Sequence, residues 1–167
     1  MDIGGRAVVV IITLAVLVGG VASASGGEYG LKEIRAVYLY EPGCPFCARF
    51  EKETLAEERV REGLGRLERI NVNAFTDDPV MFGGKMTPQR RIASMYGVNF
   101  FPTMLFLNPE GKEIARIRGF FETPDFLEML GYVTGGNYTR ESFETYLDRL
   151  AREPGGVDDK TAQNPGR

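Results

Sequence analysis

A strand-like run that leads directly into two cysteines is the feature that most constrains this chain. Residues 34–40, IRAVYLY, are β-branched and aromatic, which is typical of a largely buried strand. Gly43 ends that run, and Cys44 and Cys47, the only cysteines among the 167 residues, follow at once. After Cys44, apolar side chains recur at spacings of three and four, which predicts a helix that extends to about Arg61. The two cysteines therefore lie where a strand turns into a helix.

The composition excludes several classes of chemistry. Histidine is absent, so the chain lacks the usual general base of Ser-His-Asp and Cys-His catalysts and the commonest nitrogen ligand of metals. Two cysteines supply only half of the ligands that a structural zinc site requires. The net charge of -3 and the pI of about 5.2 indicate no basic face for nucleic acid. We therefore expect no metal, no organic cofactor and no nucleic-acid partner.

The first 24 residues have the composition of a secretory signal peptide. Arg6 and the N-terminal amine precede an uninterrupted apolar run over residues 7–18, and residues 22–24, Ala-Ser-Ala, have the small-x-small form of a signal-peptidase site. The alternative is an uncleaved membrane anchor over residues 7–24, which is close to the length that spans a bilayer. Both alternatives predict that the folded part is periplasmic or otherwise exported, in a compartment where disulfides form.

The remainder of the chain alternates strand and helix patterns. The predicted elements after the first helix are a strand (67–73), a loop (74–86), a helix opened by Thr87-Pro88 and ending at Gly97, a hairpin (103–107 and 113–118), a helix (123–133) and a last amphipathic helix capped by Thr139. This order predicts an α/β fold, a mixed sheet with helices on both faces and an extra C-terminal helix. We expect a linker over 25–33, one domain over 34–153 and a disordered tail over 154–167.

The position of the two cysteines predicts different roles for them. The N–H groups and the dipole of the first helical turn stabilise an anion, which favours the thiolate of Cys44. Cys47 lies one turn later on the apolar side of the helix, so we expect it to be buried, protonated and placed to resolve a mixed disulfide. The alternative is an inert disulfide staple, but a bridge between such close residues closes almost no loop and stabilises little.

The segment Cys44-Pro45-Phe46-Cys47, followed by residues 96–120, YGVNFFPTMLFLNPEGKEIARIRGF, resembles the thioredoxin superfamily. In that superfamily a proline at the start of the third strand has a cis peptide bond and faces the Cys-x-x-Cys, and Pro102 matches this position. The resemblance covers roughly residues 34–133. Residues 119–147, together with Glu41-Pro42-Gly43, are similar to exported thioredoxins associated with bacterial sulfur oxidation.

The resemblance implies roles for several further residues. The backbone of Phe101, before the proline, would bind an extended segment of the substrate, with Pro45 and Phe46 beside it. Phe100 is expected to pack in the core. Cytoplasmic thioredoxins carry a buried aspartate six residues before the first cysteine, where Tyr38 stands here. Glu41 is the nearest substitute acid, and a plain surface charge is the alternative for it.

These observations together predict an exported thiol–disulfide oxidoreductase of thioredoxin fold, with Cys44, Cys47, Pro102 and Glu41 as catalytic residues. The resemblance implies a reductive direction, with disulfide-containing exported proteins as substrates and a membrane thiol-transfer protein as electron donor. Two alternatives remain open. One is a disulfide oxidase or isomerase on the same fold, and the other is a non-catalytic binding module whose cysteines report redox state.

Overall fold

The structure is a computed structural model that describes residues 30–153. The predicted signal peptide, all but the last four residues of the predicted linker and the predicted tail lie outside the described residues. In the described range 30–153, none of the helices has both the length and the apolar character that crossing a membrane requires.

Six strands and five α-helices make up the described chain. Their bounds are β1 (Arg35–Tyr40), α1 (Pro45–Phe50), α2 (Glu58–Gly65), β2 (Glu68–Asn73), β3 (Pro79–Phe82), β4 (Lys85–Pro88), α3 (Gln89–Met95), β5 (Thr103–Leu107), β6 (Glu113–Arg118), α4 (Thr123–Thr134) and α5 (Phe143–Arg152). A π-helical turn over Glu51–Leu55 continues α1, and short 3-10 turns lie at Leu31–Glu33 and Asn137–Thr139.

The central sheet is mixed, as the sequence predicts. Its four strands lie in the order β2-β1-β5-β6. Strand β1 pairs in parallel with β2 and antiparallel with β5, and β6 returns antiparallel beside β5. The segment between β1 and β2 is helical, as a parallel crossover requires. Strand β1, which leads into the two cysteines, is therefore a central strand that pairs with a neighbour on each side.

Hydrophobic cores cover both faces of this sheet. Along β1, Tyr38 belongs to the core beneath α1 and α4, whereas Val37 and Leu39 belong to the core beneath α3. This alternation follows from the two-residue repeat of a strand. Phe126 of α4 and Ile92 of α3 are fully buried against the two faces. The prediction of helices on both faces is confirmed.

The prediction of a loop over residues 74–86 is wrong, because much of this segment forms a second, two-stranded sheet. Strands β3 and β4 pair across a two-residue turn at Gly83 and Gly84, whose φ values are 55° and 77°. Positive φ at both positions is the requirement of a tight hairpin turn, and glycine meets it without strain. Phe82 is buried and anchors the hairpin to the core beneath α3. Thr87 lies in β4 and Pro88 is the N-cap, so α3 begins one residue later than predicted.

Two predicted helix boundaries also differ. The helix expected to reach Arg61 is interrupted where Glu57, with extended backbone, caps a new helix. The last helix is capped by Ser142 and not by Thr139, because the Ser142 hydroxyl accepts the N–H of Thr145 at 3.2 Å. A serine hydroxyl at this position satisfies one of the free N–H groups of the first turn.

Candidate active site

Cys44 caps the N-terminus of α1 with its sulfur. Its backbone is extended, and its Sγ accepts the N–H of Cys47 at 3.3 Å. Gly43 precedes it with a φ of 79°, a left-handed conformation that allows the strand to turn into the helix. Pro45 fills the first helical position, where its missing N–H has no cost. Cys44 is half-buried, so part of this residue is open to solvent.

Cys47 is enclosed by the protein, with 3% of its surface exposed. The pKa of its thiol is raised from 9.0 to about 11, mainly by burial and then by the hydrogen bond with Cys44, while a hydrogen bond with the backbone of Glu41 lowers it. The thiol is therefore protonated at neutral pH. The predicted burial of Cys47 is confirmed, and the direction of its pKa shift agrees with the predicted protonation. Cys44 is the more exposed of the two residues.

Tyr38 lies on β1 beneath the two cysteines and is 2% exposed. Its hydroxyl donates a hydrogen bond to Oε1 of Glu51 at 2.9 Å. A hydrogen bond between the Tyr38 and Cys47 side chains also lowers the pKa of Cys47. Burial raises the pKa of Tyr38 itself, and the hydrogen bond to Glu51 adds to that shift. Tyr38 thus joins β1 to the Glu51 carboxylate at the end of α1.

The carboxylate that contacts Tyr38 belongs to Glu51 and not to Glu41, the acid that the sequence favoured. Glu41 is exposed, and its contribution near Cys47 comes from its backbone. A catalytic role of the Glu41 side chain stays a prediction. Sequence reasoning missed Glu51, although a signal existed: it follows Cys47 by four residues, which places the two side chains on one helix face.

The Phe101–Pro102 peptide bond is cis, the isomer that the resemblance implies. Strand β5 starts at the next residue, Thr103, which lies opposite Leu39 on β1. This register places Pro102 beside the end of β1 that leads into Cys44. Pro102 is buried and Phe101 is half-buried. The topology therefore brings the Cys-x-x-Cys and Pro102, the two parts of the predicted site, to the same end of the sheet.

Exposed aromatic side chains lie at the same end of the sheet. Phe46, inside the Cys-x-x-Cys, is 60% exposed, and Phe75, just after β2, is 52% exposed. The rings of Phe75 and Phe101 have centroids 5.6 Å apart. We call Phe46, Phe75 and Phe101 the aromatic rim. Phe100 is 57% exposed, so its predicted place in the core is wrong.

Sequence reasoning did not single out Phe75. Its position follows from the parallel pairing of β1 and β2, in which Ala74 donates its N–H to the carbonyl of Tyr40. This pairing brings the residue after β2 level with the end of β1. In residues 30–153, no group of three or more cysteine and carboxylate side chains is arranged to hold a metal ion.

The fold and the site define a thioredoxin-fold protein with a Cys-x-x-Cys dithiol. Residues 30–134 match the model of the family described as thioredoxin-like domain. The chain belongs to this family, which confirms the predicted superfamily and fold class. The family and the dithiol together support thiol–disulfide oxidoreductase chemistry, the predicted enzyme class.

Similar proteins include two thiol:disulfide interchange proteins and a solved thioredoxin-fold structure. The chain is 29% identical over 97 residues to the thiol:disulfide interchange protein DsbD of Photorhabdus laumondii, a match that covers 57% of this chain and 16% of that protein. It is 30% identical over 98 residues to DsbD of Actinobacillus pleuropneumoniae, covering 55% and 15%. The chain thus spans about one sixth of the length of these relatives. A solved thioredoxin-fold protein from Helicobacter pylori, 21% identical, superposes with a TM-score of 0.57 over 72% of this chain and 81% of that one, which supports the fold.

Proposed function

We propose that this protein is a thiol–disulfide oxidoreductase that exchanges disulfides with partner proteins through Cys44 and Cys47. The observation that carries the proposal is the asymmetry of the dithiol. Cys44 caps a helix and is half-buried, whereas Cys47 is buried and keeps its proton at neutral pH. One sulfur is therefore placed to meet a partner, and the other is placed to act only after the first has reacted.

The proposed reaction has two exchange steps. The Cys44 thiolate attacks a partner disulfide, which forms a mixed disulfide and releases one partner sulfur as a thiolate. The Cys47 sulfur, after losing its proton, then attacks Sγ of Cys44, and the second partner sulfur leaves with the electron pair. Two electrons pass to the partner, whose disulfide becomes a dithiol, and the protein ends with a Cys44–Cys47 disulfide.

Residues around Cys44 are proposed to hold the partner during exchange. The backbone of Phe101, before the cis Pro102, would bind an extended segment, and Pro45 and Phe46 would contact it from the helix side. The exposure of Phe46 and Phe75 in the aromatic rim supports this assignment, because exposed aromatic side chains beside a reactive group are typical of binding surfaces.

The direction and the location of the reaction are part of the proposal. Residues 1–24 favour export, and residues 34–153 would form the working domain. The relatives named thiol:disulfide interchange proteins support exchange between thiol pairs. We propose that the protein works in the periplasm or another exported location, receives electrons from a membrane thiol-transfer protein and reduces disulfides of exported proteins, including proteins of sulfur metabolism.

Insulin reduction tests the activity, and a redox titration tests its direction. The reduced protein should accelerate the precipitation of insulin chains by dithiothreitol, and Cys44→Ser should not exceed the uncatalysed rate. A wild-type rate equal to that of Cys44→Ser would favour the non-catalytic binding module. Equilibration with glutathione mixtures gives the potential of the dithiol. A value near that of thioredoxin, about -270 mV, supports a reductant, whereas a value near -120 mV supports an oxidase.

The mature N-terminus tests the proposed export. In an exporting host, intact-mass measurement of the released protein should show a chain that begins at Ser25. Recovery of the chain with Met1 in the membrane fraction would instead establish the anchor alternative.

A further inference from the structure

The loop that carries Phe75 into the aromatic rim is held by the first two residues of α3. Phe75 lies in the segment 73–78, which joins β2 to β3, and is 52% exposed. Its ring lies 5.6 Å from the ring of Phe101, at an interplanar angle of 59°. Gln89 and Arg90 both reach back to this segment. The place of this exposed aromatic ring therefore depends on contacts with a helix.

The side-chain amide of Gln89 fixes the two ends of the segment. Its Oε1 accepts the N–H of Asn73 at 2.7 Å, and its Nε2 donates to the carbonyl of Asp78 at 3.2 Å. The backbone N–H of Gln89 also donates to that carbonyl, at 3.3 Å. Asn73 is the last residue of β2, and Asp78 directly precedes β3. One amide thus sets the span that the loop must cover.

The guanidinium of Arg90 holds the middle of the segment, where Phe75 lies. Its Nη2 donates to the carbonyl of Phe75 at 3.0 Å, and its Nη1 lies 3.3 Å from Oδ2 of Asp77. The backbone N–H of Arg90 donates to the carbonyl of Thr76 at 2.9 Å. Three consecutive loop residues therefore contact one arginine. The planar fork of a guanidinium directs two N–H groups at two acceptors at once, which the single ammonium of a lysine does not.

The contacts with α3 attach the loop to the body of the protein. Within the loop, the N–H of Phe75 donates to Oδ1 of Asn73 at 3.0 Å, a bond between residues two positions apart that shapes a turn. The bonds to Arg90 instead join the loop to α3, whose Ile92 is fully buried in the core beneath that helix. Loss of the guanidinium should therefore leave the turn in place and loosen its attachment to the helix.

The exposure of these contacts favours a role in placement over a role in stability. The side chains of Arg90 and Asp77 are 56% and 70% exposed. Ion pairs this exposed contribute little to the stability of a fold, because water screens them and ordering two long side chains costs entropy. Holding a binding side chain in one place before a partner arrives lowers the entropy cost of association, and this effect needs no gain in stability.

We infer that Arg90 is a positioning residue whose guanidinium fork fixes Phe75 in the aromatic rim, and that it thereby sets how tightly a protein substrate binds beside Cys44. This inference rests on the proposed oxidoreductase function and names a residue that favours proteins over small disulfides as substrates. Arg90 acts through Phe75 and takes no part in the exchange between sulfurs.

Two substrates separate binding from chemistry in the full-length reduced protein. Insulin labelled with fluorescein gains emission when its chains separate, so initial rates over a range of insulin concentrations, with dithiothreitol as the source of electrons, give KM and kcat. The small disulfide 5,5′-dithiobis(2-nitrobenzoate) reports the cysteines themselves. In stopped flow, attack by Cys44 releases a first equivalent of coloured thiol, and attack by Cys47 on the mixed disulfide releases a second.

Three variants separate the fork of Arg90 from its charge. Arg90→Gln removes both, Arg90→Lys keeps the charge, and Arg91→Gln removes the same charge from the next residue of α3, which is also exposed and serves as the matched control. We expect Arg90→Gln to raise KM for insulin by about two- to five-fold, up to the effect of Phe75→Ala, and to change kcat and the rates with the small disulfide by less than about two-fold. Arg90→Lys should raise KM to a similar extent, and Arg91→Gln should equal wild type.

A double-mutant cycle tests whether Arg90 acts through Phe75. In the Phe75→Ala background, Arg90→Gln should raise KM no further, because the ring that the guanidinium positions is gone. Independent contributions of the two residues would instead multiply.

A fluorescent probe at the same position reports the placement directly. The chain contains no tryptophan, so Phe75→Trp introduces a single indole. When Arg90→Gln is added, the amplitude of the fast, sub-nanosecond decay of its anisotropy should rise about two-fold, since the loop moves more freely. Arg91→Gln should leave that amplitude unchanged. Thermal unfolding verifies that every variant is folded, as the exposure of both arginines leads us to expect.

Each failure has a distinct signature. A wild-type protein that does not reduce insulin, or that releases fewer than two equivalents from the small disulfide, contradicts the proposed function itself. Normal wild-type activity together with a wild-type KM in Arg90→Gln overturns the positioning role and leaves the function intact. An equal rise in KM from Arg91→Gln, a wild-type KM in Arg90→Lys, multiplied effects in the double variant or an unchanged anisotropy decay also overturns it.

Discussion

Alkylation of the reduced protein should show that Cys47 reacts much more slowly in the folded chain than in the unfolded chain. The thiol pKa is raised from 9.0 to about 11 in the folded state. At pH 7 the reactive thiolate is therefore about 100-fold rarer than in an ordinary thiol, a difference of about 2.7 kcal/mol. Burial also slows alkylation directly, because only 3% of Cys47 is exposed to a reagent.

The assay uses a trace of iodoacetamide and peptide-resolved mass spectrometry. Initial rates are measured on singly modified protein, so that a first modification does not alter the second site. The same protein unfolded in guanidinium chloride provides the reference rate for each cysteine. We expect Cys47 to react at least about 100-fold more slowly when folded than when unfolded. Cys44, which is half-buried, should be the faster site in the folded protein.

Two results would refute this reasoning. Folded Cys47 that reacts within about five-fold of its unfolded rate would mean that the thiol is neither shielded nor held protonated. Equal labelling of Cys44 and Cys47 in the folded protein would remove the asymmetry on which the proposed function depends, and would favour the staple or the binding module.

Three further predictions concern the rim, the pH dependence of stability and the core. Phe46→Ala and Phe75→Ala should each lower the rate of reaction with a protein disulfide by about five-fold, from roughly 1 kcal/mol of lost contact, and leave the rate with 5,5′-dithiobis(2-nitrobenzoate) unchanged in stopped flow. A raised pKa means that folding favours protonated Cys47, so this stabilisation is complete below pH 9 and is lost as pH rises through about 11. Tyrosines with raised pKa values add a loss of their own in this range, so urea unfolding between pH 9 and pH 11 should show that the wild type loses about 2 kcal/mol more than Cys47→Ala. Phe126→Ala, at a fully buried position, should lower the free energy of unfolding by about 3–5 kcal/mol in the same urea assay.

The parts of the fold that local patterns determine could be predicted from the sequence. The β-branched run of β1, the glycine before Cys44 and the proline after it specify a strand, a turn and a helix start within a few residues. The hairpin of β5 and β6 is equally local. By contrast, β3 and β4 have four residues each, too few for a clear two-residue repeat, and were missed although Gly83-Gly84 is a hairpin signal.

The different environments of the two cysteines could be predicted from the sequence, whereas the residues that surround them could be predicted less well. The burial of Cys47 follows from its place on the apolar helix face. The spacing of four residues between Cys47 and Glu51 is a signal for Glu51, but the choice between Glu41 and Glu51 also depends on how far a side chain reaches across β1 and on a π-helical turn, which the spacing does not determine. The place of Phe75 depends on the register between β1 and β2, which joins residues far apart in the chain.

Trapping of mixed disulfides tests the central claim, a working redox pair with divided roles, most directly. Cys47→Ser keeps the attacking sulfur and lacks the resolving one, so mixed disulfides with partner proteins should accumulate. Cys44→Ser should trap almost nothing, because its remaining thiol is buried. Both variants are expressed in an exporting host, and non-reducing gels are compared with reducing ones. Adducts that appear only with Cys47→Ser and vanish on reduction agree with the account, and equal adducts from both variants, or none from Cys47→Ser, would contradict it.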